Sequence, residues 1–136
     1  MEIIRQYDQD KKLMVVHFPA VVTDASLLQF IRALNTQVEG IDDLRQLSIC
    51  TGIKDVSQLT FDGVAQCASD ENSRHESKLA ILVANESIVH VFSLTYKYFA
   101  NWKRKEIRLF SRARDALKWI ASDENEFAIL NNKLVI

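Results

Sequence analysis

A chain of 136 residues with 48% hydrophobic and 26% charged side chains has the length and balance of one soluble globular domain. Three Gly and one Pro exclude collagen-like and linker-dominated architectures, and a net charge of -1 argues against strong nonspecific nucleic-acid binding. The start, MEIIRQYDQDKK, is polar unlike a signal peptide, and apolar runs such as LAILVA fall far short of the roughly eighteen residues of a membrane span. A cytoplasmic location follows as the expectation. Cys50 and Cys67 both sit in apolar patterns and are expected as reduced core thiols.

Residues 2–7 and 13–18 read as strands around the polar patch from Asp8 to Lys12, which suits a hairpin turn. Pro19 stops the second strand, because it has no amide hydrogen to donate. A helix over 24–39 follows, capped by Thr23 or Asp24, with Leu27, Ile31, Leu34 and Val38 at helical spacing and Gly40 to end it. A short strand at about 45–50 has Leu47 and Ile49 on one face. Thr60 reads as the cap of a weakly apolar helix over 61–73 that buries Val64, Cys67 and Ala68.

Residues 78–84 form the clearest buried strand, and Asn85 is placed to cap a helix over 86–100. Its expected buried stripe is Ile88, Val91, Phe92, Thr95 and Phe99. Alternation of Lys105, Ile107 and Leu109 with Arg104, Glu106 and Arg108 marks a half-exposed strand. Ser111 is expected to cap a last helix that turns Ala113, Ala116, Leu117 and Ile120 inward. Repeated β-α units need crossovers, so the chain predicts an α/β sandwich: a mixed, mostly parallel sheet of about five strands, an N-terminal hairpin and about four helices. This domain is assigned residues 1–122. The apolar tail over 123–136 is expected to pack as an extra edge strand, as a hairpin turning at Asn131-Asn132, or as a dimer contact.

The series Lys78, Ala80, Ile81 and Val83, then Tyr96-Lys97-Tyr98-Phe99, then Leu109-Phe110, Ala116-Leu117 and Trp119-Ile120 resembles the bacterial STAS/SpoIIAA-like superfamily. Within it, the chain looks like the small stand-alone members of uncharacterised function. The resemblance covers about residues 2–121 and implies the same sandwich. Anti-sigma factor antagonists of that superfamily carry a phosphorylatable Ser in an Asp-Ser-Ser-Gly-type segment between the third strand and second helix. Here that stretch runs from Ser48 through Thr51-Gly52 to Ser57 and Thr60 and lacks the segment. Thr51, Ser57, Thr60 and Asn85 remain the candidate region for a ligand or a phosphate, with strand end, loop and helix caps as their structural roles.

Candidate chemistry is sparse. His17, His75 and His90 have no ligand spacing, no nucleophile sits in an elbow context, and neither glycine-rich phosphate motif occurs. No enzyme, metal or cofactor is therefore expected. Charge is uneven: eight basic residues against two acidic ones lie between Tyr96 and Trp119. Tyr98, Trp102, Lys103, Arg104, Lys105, Arg108 and Arg112 are the candidate interaction surface for a protein partner or for self-association. The expected function is a non-catalytic interaction or regulatory domain, with a small-ligand or anion-binding module as the alternative. A deep pocket near Thr51 and Asn85 favours the second, and an exposed Tyr98/Trp102 surface favours the first.

Overall fold

The computed structural model describes residues 2–71, 77–100 and 106–134. Strand β1 (Ile4–Asp8) and strand β2 (Leu13–His17) form an antiparallel hairpin. The Asp8 carboxylate closes its turn by accepting from the Lys11 amide at 3.1 Å, and Lys12 adopts a left-handed φ of 52°. Helix α1 (Asp24–Gln37) starts in a reciprocal capping box between Thr23 and Ser26. Gly40, at φ 81°, supplies the turn that leaves it. Then come β3 (Arg45–Ile49), α2 (Phe61–Asp70), β4 (Lys78–Leu82), α3 (Ile88–Ala100), β5 (Glu106–Phe110), α4 (Ala113–Ile120) and α5 (Glu124–Lys133).

The five strands lie in chain order, β1 to β5, and all pairs after the hairpin are parallel. Crossovers of one hand along an unreversed strand order deliver their helices to one face of a sheet. Helices α1, α2 and α3 accordingly cover Met14, Val16, Leu79, Ile81 and Ile107, while α4 and α5 cover Leu13, Val15, Leu47, Ala80 and Leu82 on the opposite face. The mixed, mostly parallel α/β sandwich anticipated from the sequence is the observed fold.

Four details differ from the sequence reading. The tail is neither edge strand nor hairpin: α5 has Asp123 as its cap, accepting from the Glu126 amide at 2.8 Å, and lays Leu130, Phe127 and Leu134 on the α4 side of its own sheet. An Asp followed by acidic first-turn residues is a helix start, and that signal outweighs the tail's apolar content. In α3, Ser87 rather than Asn85 accepts from the His90 amide, at 3.1 Å, and Asn85 is exposed in the preceding turn. The buried stripe of α3 is Val89, Phe92, Ser93, Tyr96 and Ala100, whereas Ile88, Val91 and Phe99 stand out toward solvent. This helix is apolar on most sides, so its pattern alone does not choose the face that meets the sheet. Arg112, not Ser111, occupies the α4 cap position, without a side-chain cap bond. Phe30 is buried against Phe18, and His17 is half-buried on the interior strand β2.

The α4–α5 face is also held by a polar staple. The Arg45 guanidinium pairs with the Glu126 carboxylate and donates to the carbonyls of Ile120, at 3.0 Å, and Lys11, at 2.7 Å. Glu126 additionally accepts from the Ser122 amide at 3.0 Å. The hydrogen-bonded Arg45 lowers the Glu126 pKa below the usual carboxylate range.

Candidate functional site

Strand β3 is interior and has helices over both faces, so its alternation of apolar and polar residues buries both sets. Leu47 and Ile49 meet α4, whereas Gln46 and Ser48 point toward the α1–α3 layer. Only 3% of Gln46 is exposed. Its Nε2 donates to Ser48 Oγ at 3.1 Å, and its Oε1 has no hydrogen-bond partner, alone among buried side-chain polar atoms of the described residues. A buried acceptor without a donor costs about 1–3 kcal/mol.

Gln46 and Ser48 line a cavity of about 80 Å³ between β3, β4 and the three helices. Leu79, Ile81, Phe30, Val64 and Phe92 make most of its wall. The other polar groups at its wall are already committed or neutral. The Ser93 hydroxyl donates to the Val89 carbonyl at 2.8 Å, and Tyr96 donates to Glu71 Oε2 at 2.7 Å. Burial, with Glu71 beside it, pushes the Tyr96 phenol well above its ordinary pKa. Burial pushes the Cys50 thiol up to about 12, so it stays protonated. No Lys, Arg or His lines the cavity.

At one end the wall is made of the half-buried Phe18, Ile53 and Leu59. These belong to the segments that leave β2 and β3, and the two segments are tied together. Lys54 and Asp55 amides donate to the Ala20 carbonyl at 2.7 and 2.8 Å, Val22 donates to the Asp55 carbonyl at 3.2 Å, and Asp24 to that of Gln58 at 3.0 Å. The cavity thus reaches the carboxyl ends of the parallel strands, the region where open α/β sheets receive ligands.

The sequence-derived ligand residues lie in the segments that follow β3 and β4, and the hydroxyls of Ser57 and Thr60 have other partners. Thr60 accepts from the Gly63 amide at 2.9 Å and donates to Asp24 Oδ2 at 2.7 Å. The Asp24 carboxylate also accepts from the Thr60 amide at 2.8 Å, so the start of α2 already holds an internal anion. A Cβ at Gly63 would force that carboxylate to move away from the start of α2. The Ser57 amide and then its hydroxyl donate to Asp55 Oδ1, at 2.9 and 2.7 Å, and lower the Asp55 pKa. Thr51 and Asn85 are exposed in turns and do not line the cavity, although Cys50 and Ile53 beside Thr51 do.

The basic-aromatic candidates are divided between layers. Tyr98 lies on α3 and is 75% exposed. Arg108 points to the other side of the sheet, where its guanidinium lies 5.2 Å from the Trp119 ring centroid and 3.3 Å from Glu106. Arg112 is exposed before α4. Trp102, Lys103, Arg104 and Lys105, like His75, lie outside the described residues. The sequence reading missed the outer face of α3, where Ile88, Val91 and Leu94 join Tyr98, and it missed exposed Phe61 of α2, whose ring packs on Phe92 at 4.6 Å. It also missed Gln46. Polar residues alternating with Leu47 and Ile49 on a strand expected inside a helix-covered sheet were the available signal.

Among the described residues, no group of three or more His, Cys, Asp or Glu side chains is placed to hold a metal, and both cysteines are free. No described helix is long and apolar enough to cross a membrane. No family model and no curated protein matches the chain. One solved structure does, that of an uncharacterised protein of the DUF3478 family with a SpoIIAA-like fold from Shewanella loihica PV-4. It is 17% identical, with a TM-score of 0.59, over 88% of this chain and 92% of that one. The chain has a SpoIIAA-like fold. At that identity the SpoIIAA-like likeness extends to architecture and not to activity.

Proposed function

We propose that this SpoIIAA-like chain is a non-catalytic interaction domain that docks an acidic-rimmed protein partner on the outer face of α3. The supporting observation is the exposed stripe Ile88, Val91, Leu94 and Tyr98, spaced along one side of the helix and widened by Phe61. Exposed apolar side chains grouped in this way mark contact sites, and a Tyr among them is a common anchor. Helix α3 carries Lys97 and no acidic residue, so a partner with carboxylates around an apolar ridge complements it. A two-fold contact with a second copy brings α3 against an equally unpaired Lys97, which disfavours self-association through this face.

Crosslinked affinity purification read by mass spectrometry tests this, using the wild type and a Val91→Asp/Tyr98→Ala variant whose thermal melt is unchanged. One stoichiometric partner with an acidic contact surface, retained by the wild type and lost by the variant, is the expected result. Equal retention by both, recovery of bait alone, or a bait dimer overturns the reading.

A further inference from the structure

We propose that the cavity over β3 binds a small uncharged hydroxyl compound, with its O–H donated to Gln46 Oε1 and its apolar body against Phe30, Ile81 and Phe92. Gln46 is 3% exposed, held through Nε2 by Ser48 Oγ at 3.1 Å, and directs an unpartnered acceptor into this space. An acceptor fixed in that way calls for a donor. The Ser93 and Tyr96 hydroxyls do not supply it, because they donate to Val89 and Glu71.

The same surroundings decide the rest of the ligand. No cationic side chain lines the cavity, so a carboxylate or phosphate entering it is left unpaired in an apolar medium. Cys50, protonated with a pKa of about 12, offers no charge for a cation. A volume of about 80 Å³ exceeds what one water needs and is below the range of drug-sized pockets. It suits a hydroxyl on a short aliphatic stem. Larger members of the class extend past Phe18, Ile53 and Leu59, the half-buried residues at the strand ends.

The test uses two isomers of one formula, 1-butanol and methyl propyl ether, which are alike in size but only the first of which has a donor. Each is titrated into the full chain and followed by amide chemical shifts. The expected result is saturable movement of the Gln46, Ser48 and Ser93 signals with 1-butanol, about tenfold tighter than with the ether. A Gln46→Leu variant is expected to bind both equally. Equal affinity of the wild type for the two isomers overturns the proposal, as does a preference surviving in Gln46→Leu. Absence of saturable shifts in the wild type, where the cavity holds only water, overturns it without recourse to any variant.

Discussion

The two faces of the sheet bury their residues in different ways. Opposite α4 and α5, the strands present Leu13, Val15, Leu47, Ile49, Ala80 and Leu82, and among the described residues no buried side-chain polar atom there lacks a partner, the Arg45–Glu126 staple being paired within itself. Opposite α1, α2 and α3, the central strand presents Gln46 and Ser48, and the layer leaves a cavity over them. A close-packed face maximises dispersion contacts, whereas a polar centre under a void gives some of that up. The comparison separates the face that holds the fold from the one equipped to receive something, since the cavity and the exposed α3 stripe belong to the same layer.

Three measurements can break or sharpen that division. Truncation after Ser122 is expected to have the largest effect, because it uncovers the surface beneath Leu130 and leaves Arg45 without its carboxylate. A loss of about 3 kcal/mol or more follows, read by denaturant unfolding with light scattering to follow mass. An unchanged unfolding midpoint would show that α5 contributes nothing to the closed face. Next, Leu117→Ala, deep against α4's strands, is expected to cost about 3–5 kcal/mol, and Leu27→Ala, which borders the cavity, about 2–3 kcal/mol. Leu27 already lacks neighbours on its cavity side, so less is lost with it. Equal costs would remove the contrast between the layers.

The smallest effect concerns pH. Arg45 lowers the Glu126 pKa in the folded protein, so the pair's contribution is fully present above the unfolded carboxylate value of about 4.3 and is lost as pH falls through the lower folded value. Glu126→Gln is expected to cost about 1–2 kcal/mol at pH 7 and to flatten the acid limb of the stability profile. A variant that loses stability between pH 5 and pH 2 as steeply as the wild type would place the acid sensitivity elsewhere.

Much of the frame was legible from residue pattern. The hairpin around Asp8–Lys12, the Thr23 and Thr60 caps and the KLAILVA strand follow from local turn, capping and β-propensity chemistry, which needs no distant contact. The recurrence of β and α units then leads to a mixed, mostly parallel sheet. The rotation of α3 was not legible in the same way. Ile88, Val91, Phe92 and Phe99 make as good a helical stripe as Val89, Phe92, Tyr96 and Ala100, and a helix apolar on most sides has no pattern to choose between them. The tail's helical form was not legible either, because its apolar content obscures the Asp123 cap as a signal, although packing on its own domain is what the pattern favours.

The candidate sites divide along the same line. Exposure of Tyr98 was expected from its place off the main stripe, but its separation from Arg108 depends on which sheet face each strand residue takes. Gln46 looked like any polar strand residue until a helix layer closed over it. The sequence by itself determined the order of elements from β1 to α4, the starts of α1 and α2 and the absence of a known catalytic motif, because these are set within a few neighbouring residues. Only the tertiary structure decided which face of α3 meets solvent, that α5 returns to its own sheet, and that Gln46 Oε1 is buried without a donor. Those outcomes depend on packing between segments far apart in the chain, where small side chains and competing contacts choose among arrangements of similar local merit.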